Sequence, residues 1–135
     1  MNATNMRPDQ QLVAGTVIAR HHVGYVHVGL LGDSVHGCDR TVLEFSASAG
    51  GFCERSLAGF ADGRQMYVIG YPGNLAPAEV MNRARMLSER PYSLFQFNCE
   101  HFVRIAHGLA PESPQVQAWV LIGLIAASVG LLARR

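Results

Sequence analysis

The feature that most constrains this chain is an uncharged apolar run near its C-terminal end, from Ala118 to Ala133. A helix over that run would be ~24 Å long. Arg134 and Arg135 can follow it into the edge of a bilayer, because their apolar stems can lie in the hydrocarbon while their charged ends stay in water. A bilayer's hydrocarbon core is ~30 Å thick, so the run can span it if the preceding residues join the helix. The alternative is a buried C-terminal helix, but apolar character on every face favours a membrane anchor.

The rest of the chain is long enough for one small domain. A Pro-Glu-Ser-Pro segment separates that domain from the apolar run, and a polar stretch precedes it. The sequence predicts a flexible N-terminus over 1–11, a folded domain over 12–110, a linker over 111–117 and an anchor helix over 118–133. Because residues 1–11 do not resemble a signal peptide, we expect the domain on the cytosolic face of an intracellular membrane, held by its C-terminal anchor.

Charge and cysteine content exclude several classes of function. The net charge is +1, and the eleven basic residues are all arginines scattered along the chain, so no basic patch indicates a nucleic-acid partner. None of the three cysteines has the spacing of a zinc or redox motif, and no second pair of ligands accompanies the histidines. We expect no metal, no cofactor and reduced cysteines, with a Cys38–Cys53 disulfide as the alternative.

Apolar periodicity predicts both strands and helices, which indicates the α+β class. The expected strands cover 12–18, 22–29, 41–46 and 65–71. Helices are expected over 77–89 and 99–109, with one helical turn over 57–60. Turn residues within 28–40 indicate either a long hairpin loop or a short extra strand there.

Cys99 is the candidate nucleophile because it follows Asn98 at the start of a predicted helix. Asparagine is a favoured N-cap, and the N–H groups and dipole of the first helical turn lower the pKa of a thiol placed there. The same N–H groups can stabilise an oxyanion on an acyl carbon. The competing interpretation is that Cys99 is a small buried apolar residue, as most free cysteines are.

A thiol nucleophile also needs a base and a residue that orients the base. His22 is the favoured base, because it shares a strand face with Gly24, which leaves space for a cysteine from a neighbouring element. The alternative is His21, which points to the opposite face unless a bulge intervenes. The favoured orienting residue is Glu44, a carboxylate within an apolar run, and His36 is its rival. Glu44 can also be interpreted as a solvent-facing residue of an edge strand.

These motifs resemble the lecithin retinol acyltransferase-like family, which includes small phospholipases/acyltransferases. Some picornaviral non-structural proteins share its H-box/NC motifs. The resemblance is carried by His22-Val23-Gly24-Tyr25-Val26, Val42-Leu43-Glu44-Phe45-Ser46 and Asn98-Cys99-Glu100-His101-Phe102-Val103. It implies a small antiparallel sheet packed on helices, in a permuted papain-like core related to NlpC-type peptidases. The family's second histidine corresponds to Glu44 here, or to His36 through the Gly-Asp-Ser-Val-His segment.

The resemblance implies a membrane-tethered cysteine acyl-enzyme. Cys99, activated by His22, would attack an acyl ester of a glycerophospholipid and form a thioester. The expected partners are membrane phospholipids and an acyl acceptor, which is water, an amine or a lysolipid. Because glutamate replaces the family's histidine at the third position, the alternative is a weak or inactive membrane scaffold, for instance in viral replication. A hydrolase of peptide bonds is a third interpretation.

Overall fold

The computed structural model describes residues 12–36 and 39–134, which form five strands and four helices. They are β1 (Val17–His22), β2 (Tyr25–His36), β3 (Asp39–Ser46), β4 (Gly51–Ser56), α1 (Leu57–Ala61), β5 (Met66–Gly70), α2 (Pro77–Met86), α3 (Cys99–Ala106) and α4 (Pro114–Ala133). The strands form one antiparallel sheet in the order β4-β3-β2-β1-β5. The predicted α+β class is confirmed. The flexible N-terminus predicted over 1–11 lies outside the described residues, as does Cys38, whereas Cys53 and Cys99 are free thiols.

A tight hairpin between β1 and β2 changes the position of the adjacent histidines. His22 pairs with Tyr25 across the turn Val23-Gly24. Gly24 has a φ of +81°, a backbone conformation that favours glycine. The prediction that His22 opens the second strand is therefore wrong, because His22 ends β1. The first strand predicted over 12–18 is displaced towards the C-terminus for the same reason.

The sheet around β3 also differs from the prediction. Of the two alternatives for residues 28–40, a long hairpin loop or a short extra strand, the structure shows mostly strand, since β2 pairs with β3 from Gly29–Glu44 to His36–Asp39. β4 is absent from the predicted strands, because it starts at a glycine and lacks a regular apolar alternation, yet it pairs with β3 from Thr41 to Ser46. β3 is thus an interior strand and Glu44 is 2% exposed. The interpretation of Glu44 as a solvent-facing edge residue is wrong.

The two faces of the sheet bury separate apolar clusters. One cluster packs against α2 and α3 and includes Val28, Leu30, Leu43, Phe45, Phe97, Cys99, Phe102 and Ala106. The other packs against α1 and consists of Ile18, Leu31, Val42, Leu57 and Phe60. Because side chains alternate along a strand, Val28 faces α3 whereas His27 faces α1, where its ring lies 5.5 Å from that of Phe60.

α4 begins at Pro114, inside the range predicted as a linker. It is a twenty-residue helix, ~30 Å long, with a mean hydropathy of 2.1 over its most apolar window. It is long and apolar enough to cross a membrane, and none of that window is buried against the domain. The alternative of a buried core helix is therefore wrong. The prediction began the helix at 118 because it treated the polar residues before Ala118 as linker.

We predict that Val42→Ala lowers the free energy of unfolding by about 1–3 kcal/mol, because it removes two methyl groups from a packed cluster. Val42 is fully buried. Val35, also in a strand but 67% exposed, provides the matched control, and Val35→Ala should change stability by less than about 0.5 kcal/mol. Denaturant titration of the full chain in neutral detergent micelles measures both. Equal effects of the two changes would contradict the assigned faces.

Candidate active site

Asn98 caps the N-terminus of α3, as the sequence predicts. Its backbone is extended, and its side-chain oxygen accepts hydrogen bonds from the backbone N–H groups of Glu100 (3.0 Å) and His101 (3.2 Å). In return, the His101 ring Nδ1 accepts a hydrogen bond from the Asn98 N–H at 3.1 Å. This reciprocal pair is a capping box, and it places Cys99 as the first residue of the helix.

Burial dominates the ionisation of Cys99. The thiol residue is 6% exposed, and its desolvation raises the pKa to about 11. The Val28 N–H and the first N–H groups of α3 lower that pKa, but by less than burial raises it. The position of Cys99 at the helix start is therefore not enough to ionise its thiol in the resting protein. Only about one thiol in ten thousand is ionised at pH 7 with such a pKa.

Cys99 opens into an apolar cavity of about 530 Å³. Its lining includes Val23, Tyr25, Tyr92, Leu94, Val116 and Trp119. Two of these residues, Val116 and Trp119, belong to the first turns of α4, so the cavity is continuous with the helix that can enter a membrane. A volume of this size is typical of sites that bind an organic ligand of moderate length.

A second cavity, of about 290 Å³, adjoins the first and has a polar lining. Its charged and titratable residues are Arg20, His22, His27, Arg55 and Asp62. Tyr25, Ala47 and Tyr92 line both cavities, so the two spaces meet at these three residues.

Glu44 on β3 contacts one basic side chain on each neighbouring strand, His27 on β2 and Arg55 on β4. Its Oε2 lies 3.5 Å from His27 Nε2, and its Oε1 lies 3.1 Å from Arg55 Nε. These are close electrostatic contacts, since His27 Nε2, Glu44 Oε2 and Arg55 Nε each lack a hydrogen-bond partner in the described part of the chain. Both His27 and Glu44 are nearly inaccessible to solvent, so the carboxylate depends on these partners for its stabilisation.

A gap beside β2 lets the Cys99 sulfur approach the backbone of that strand. β2 pairs with β3 only from Gly29 onward, which leaves one side of the preceding backbone unpaired. The Val28 N–H on that side is directed at the Cys99 sulfur. The sulfur therefore lies beside the peptide bond that joins His27 to Val28. Among the residues that the structure describes, His27 Nδ1 makes no hydrogen bond.

The sequence analysis missed His27, although a signal was present. The tripeptide His-Val-Gly occurs twice, at residues 22–24 and 27–29. The first copy spans the end of β1 and the hairpin turn, and the second lies inside β2 next to Glu44. Only the strand boundaries distinguish the two copies.

The other predicted histidines lie elsewhere. The exposed ring of His21 packs 5.2 Å from that of Tyr67. His22 stacks on Tyr25 at 4.7 Å and lines the polar cavity, not the cavity of Cys99. His36 pairs with Asp39 at the end of β2, and its side chain lies outside the described part of the structure.

A hydrogen-bond network joins α4 to the site. The side chain of Gln115 accepts from the Val26 N–H (2.7 Å) and donates to the Val26 carbonyl (2.8 Å), so it occupies the unpaired side of β2. It also donates to Glu100 at 2.9 Å. Ser113 donates to Glu100 and accepts from the Asn98 side chain at 3.0 Å. Anchor, cap and strand are thus one connected unit, which we call the anchor network.

No group of three His, Cys, Asp or Glu side chains in the described ranges 12–36 and 39–134 is arranged to hold a metal ion.

Comparison with protein families finds one match, to the model described as Lecithin retinol acyltransferase, over residues 6–108. The matched range extends from before β1 to just beyond α3 and includes Glu44, His27 and Cys99. A comparison with curated proteins finds no significant match.

We predict that Cys99 alkylates slowly at neutral pH. In a Cys38→Ser, Cys53→Ser background, iodoacetamide should label it more than ~100-fold more slowly at pH 7 than free cysteine, because so little thiolate is present. Since the pKa is raised, the rate should increase about tenfold per pH unit and level off only near the pKa of about 11. Mass spectrometry over a pH series gives these rates, and a plateau below pH 9 would contradict the burial argument.

We predict that Gln115→Ala lowers the free energy of unfolding by about 1–3 kcal/mol, because it leaves the Val26 peptide groups without their side-chain partner and removes one of the donors to Glu100. Gln117, two residues later and exposed, is the matched control, and Gln117→Ala should have almost no effect. Denaturant titration in micelles measures both. A Gln115→Ala protein as stable as the control would show that the anchor network is not structural.

Proposed function

Because the chain belongs to the lecithin retinol acyltransferase family, we propose that it is a membrane-tethered cysteine acyl-enzyme acting on acyl esters of glycerophospholipids. Membership of this family suggests acyltransferase or phospholipase-like chemistry. The observation that carries the finer proposal is the position of Cys99, at a capped helix start, open to an apolar cavity and beside the peptide bond of His27.

We assign the role of base to His27 in place of His22. Glu44 faces Nε2 of the His27 ring, so Nδ1 is the nitrogen available to accept a proton. The favoured orienting residue remains Glu44, which would also stabilise the imidazolium as it forms. Arg55 holds the other carboxylate oxygen and so keeps Glu44 in place.

The high pKa of Cys99 determines how the reaction begins. A standing thiolate–imidazolium pair is disfavoured, so the proton moves from sulfur to His27 Nδ1 as the sulfur attacks the acyl carbon. The S–C bond forms, the C–O ester bond breaks, and the imidazolium gives its proton to the departing alkoxide. Water, an amine or a lysolipid then attacks the thioester and regenerates the thiol.

Fewer N–H groups are free to donate to the oxyanion than the sequence suggested. Asn98 occupies the N–H groups of Glu100 and His101, so these serve the cap. The N–H groups of Cys99 and Val28 both lie near the sulfur. We propose this pair as the donors to the acyl oxygen in the tetrahedral intermediate.

One observation favours the alternative of an inactive membrane scaffold. Cys99 is nearly inaccessible and its thiol is protonated at neutral pH. Slow alkylation is expected for both functions, so only turnover distinguishes them.

Fatty-acid release from phosphatidylcholine vesicles containing the reconstituted full chain tests the proposal. We expect Cys99→Ser to abolish release and His27→Gln to reduce it by at least ~100-fold, the usual contribution of a general base. His21→Gln is the matched control and should retain release, because that ring packs on Tyr67 at the surface. An acyl adduct on Cys99 should be detectable by mass spectrometry.

Equal release by the wild type and Cys99→Ser would leave the scaffold as the better function. Loss of release in His21→Gln with full release in His27→Gln would instead place the base at the end of β1.

A further inference from the structure

Arg20 is a partly buried cation, and two of its hydrogen-bond donors are buried and unsatisfied. Its Nε and Nη1 are inaccessible to solvent and have no hydrogen-bond partner. Its guanidinium carbon lies 5.8 Å from the centre of the Phe60 ring. No carboxylate of the described residues lies within ion-pair distance of it, whereas Arg55 has one such partner and Arg85 has two. Donors of a cation that are buried without partners are costly unless an anion reaches them.

The polar cavity around Arg20 supplies further donors. His22 lies two residues along β1, on the same face, and its Nδ1 is also buried without a partner. The hydroxyl-bearing residues Ser46 and Ser48 also line this cavity. Asp62 is the acidic residue of the lining, but it is exposed and therefore screened by solvent.

Of the two arginines that line this cavity, Arg20 is the one without a carboxylate in contact among the described residues. The charge of Arg55 is offset by Glu44, with which it is in contact. The donors that line the cavity come from several residues, Arg20, His22 and the serines, a number that suits the oxygens of a phosphate better than the two oxygens of a carboxylate. The guanidinium fork also matches phosphate geometry.

We propose that the cavity bounded by Arg20 and His22 binds a phosphate group, and that this group is the phosphodiester of the lipid whose ester Cys99 attacks. The assignment of the phosphate to a lipid rests on the proposed function. Arg20 is the direct cross-strand neighbour of His27, so a phosphate there lies beside the base. The acyl chain occupies the apolar cavity, and the reacting ester lies where the two cavities meet.

The first test measures stability without any turnover. If the buried donors of Arg20 are satisfied only by a bound anion, Arg20→Gln loses no hydrogen bond or ion pair and gives up only the contact with the Phe60 ring, so the midpoint of thermal unfolding without phosphate should stay nearly the same or rise. Inorganic phosphate should raise the midpoint of the wild type but not that of Arg20→Gln. Arg64→Gln, a change of an exposed arginine, should behave as the wild type. A fall in the midpoint of Arg20→Gln, with a response to phosphate like that of the wild type, would overturn the proposal.

The second test identifies the source of the phosphate. Calorimetric titration of Cys99→Ser in maltoside micelles compares short-chain dihexanoylphosphatidylcholine with dihexanoylglycerol, which lacks phosphate. Adding Arg20→Gln should weaken binding of the phospholipid at least tenfold and leave binding of the diacylglycerol unchanged. Arg20→Lys, which keeps the charge but loses the fork, should give an intermediate loss and covers the case in which Arg20→Gln does not fold.

Each contrary result overturns a different part of the proposal. Equal loss for both lipids would show a general structural effect and overturn the proposal. Sensitivity to inorganic phosphate alone would overturn the assignment to lipid. Because the Cys99→Ser protein performs no chemistry, failure of the proposed enzyme activity leaves both binding results readable.

Discussion

The buried carboxylate of Glu44 is the constraint on which the sheet and the site both depend. An ionised side chain at 2% exposure needs compensating partners, and it finds them in His27 on β2 and Arg55 on β4. These contacts link three neighbouring strands. A slip of one residue in either pairing would move one partner to the other face of the sheet and leave the charge alone. The same contacts therefore determine both the register of the sheet and the position of the His27 ring.

Local signals in the sequence predicted part of this arrangement. Asn98 and Cys99 were placed correctly because an N-cap and a helix start are determined within a few residues. The hairpin turn was not, because apolar alternation continues on both sides of Val23-Gly24 and periodicity does not show where one strand stops. That error selected the first His-Val-Gly over the second. The partner of Glu44 is a property of strand pairing, which no short window of sequence contains.

The chemistry of Cys99 could not be predicted from its position on the helix alone. The N-cap, the dipole and the nearby amides all favour the thiolate, and each is visible or inferable from the sequence. Burial acts in the opposite direction and wins, and it arises from β2, α3 and the aromatic residues packed around them. A thiol that stays protonated until a base takes its proton is protected from oxidation and stray alkylation.

The anchor network has a consequence for where the protein can work. Because α4 begins within hydrogen-bonding distance of the site, no flexible tether lets the domain swing away from its helix. With the helix in a bilayer, the cavity of Cys99 would sit at one fixed depth and sample only the leaflet beneath it. The quantity that governs encounter is then the mole fraction of lipid in that surface, a two-dimensional density, and not the amount of lipid in the surrounding solution.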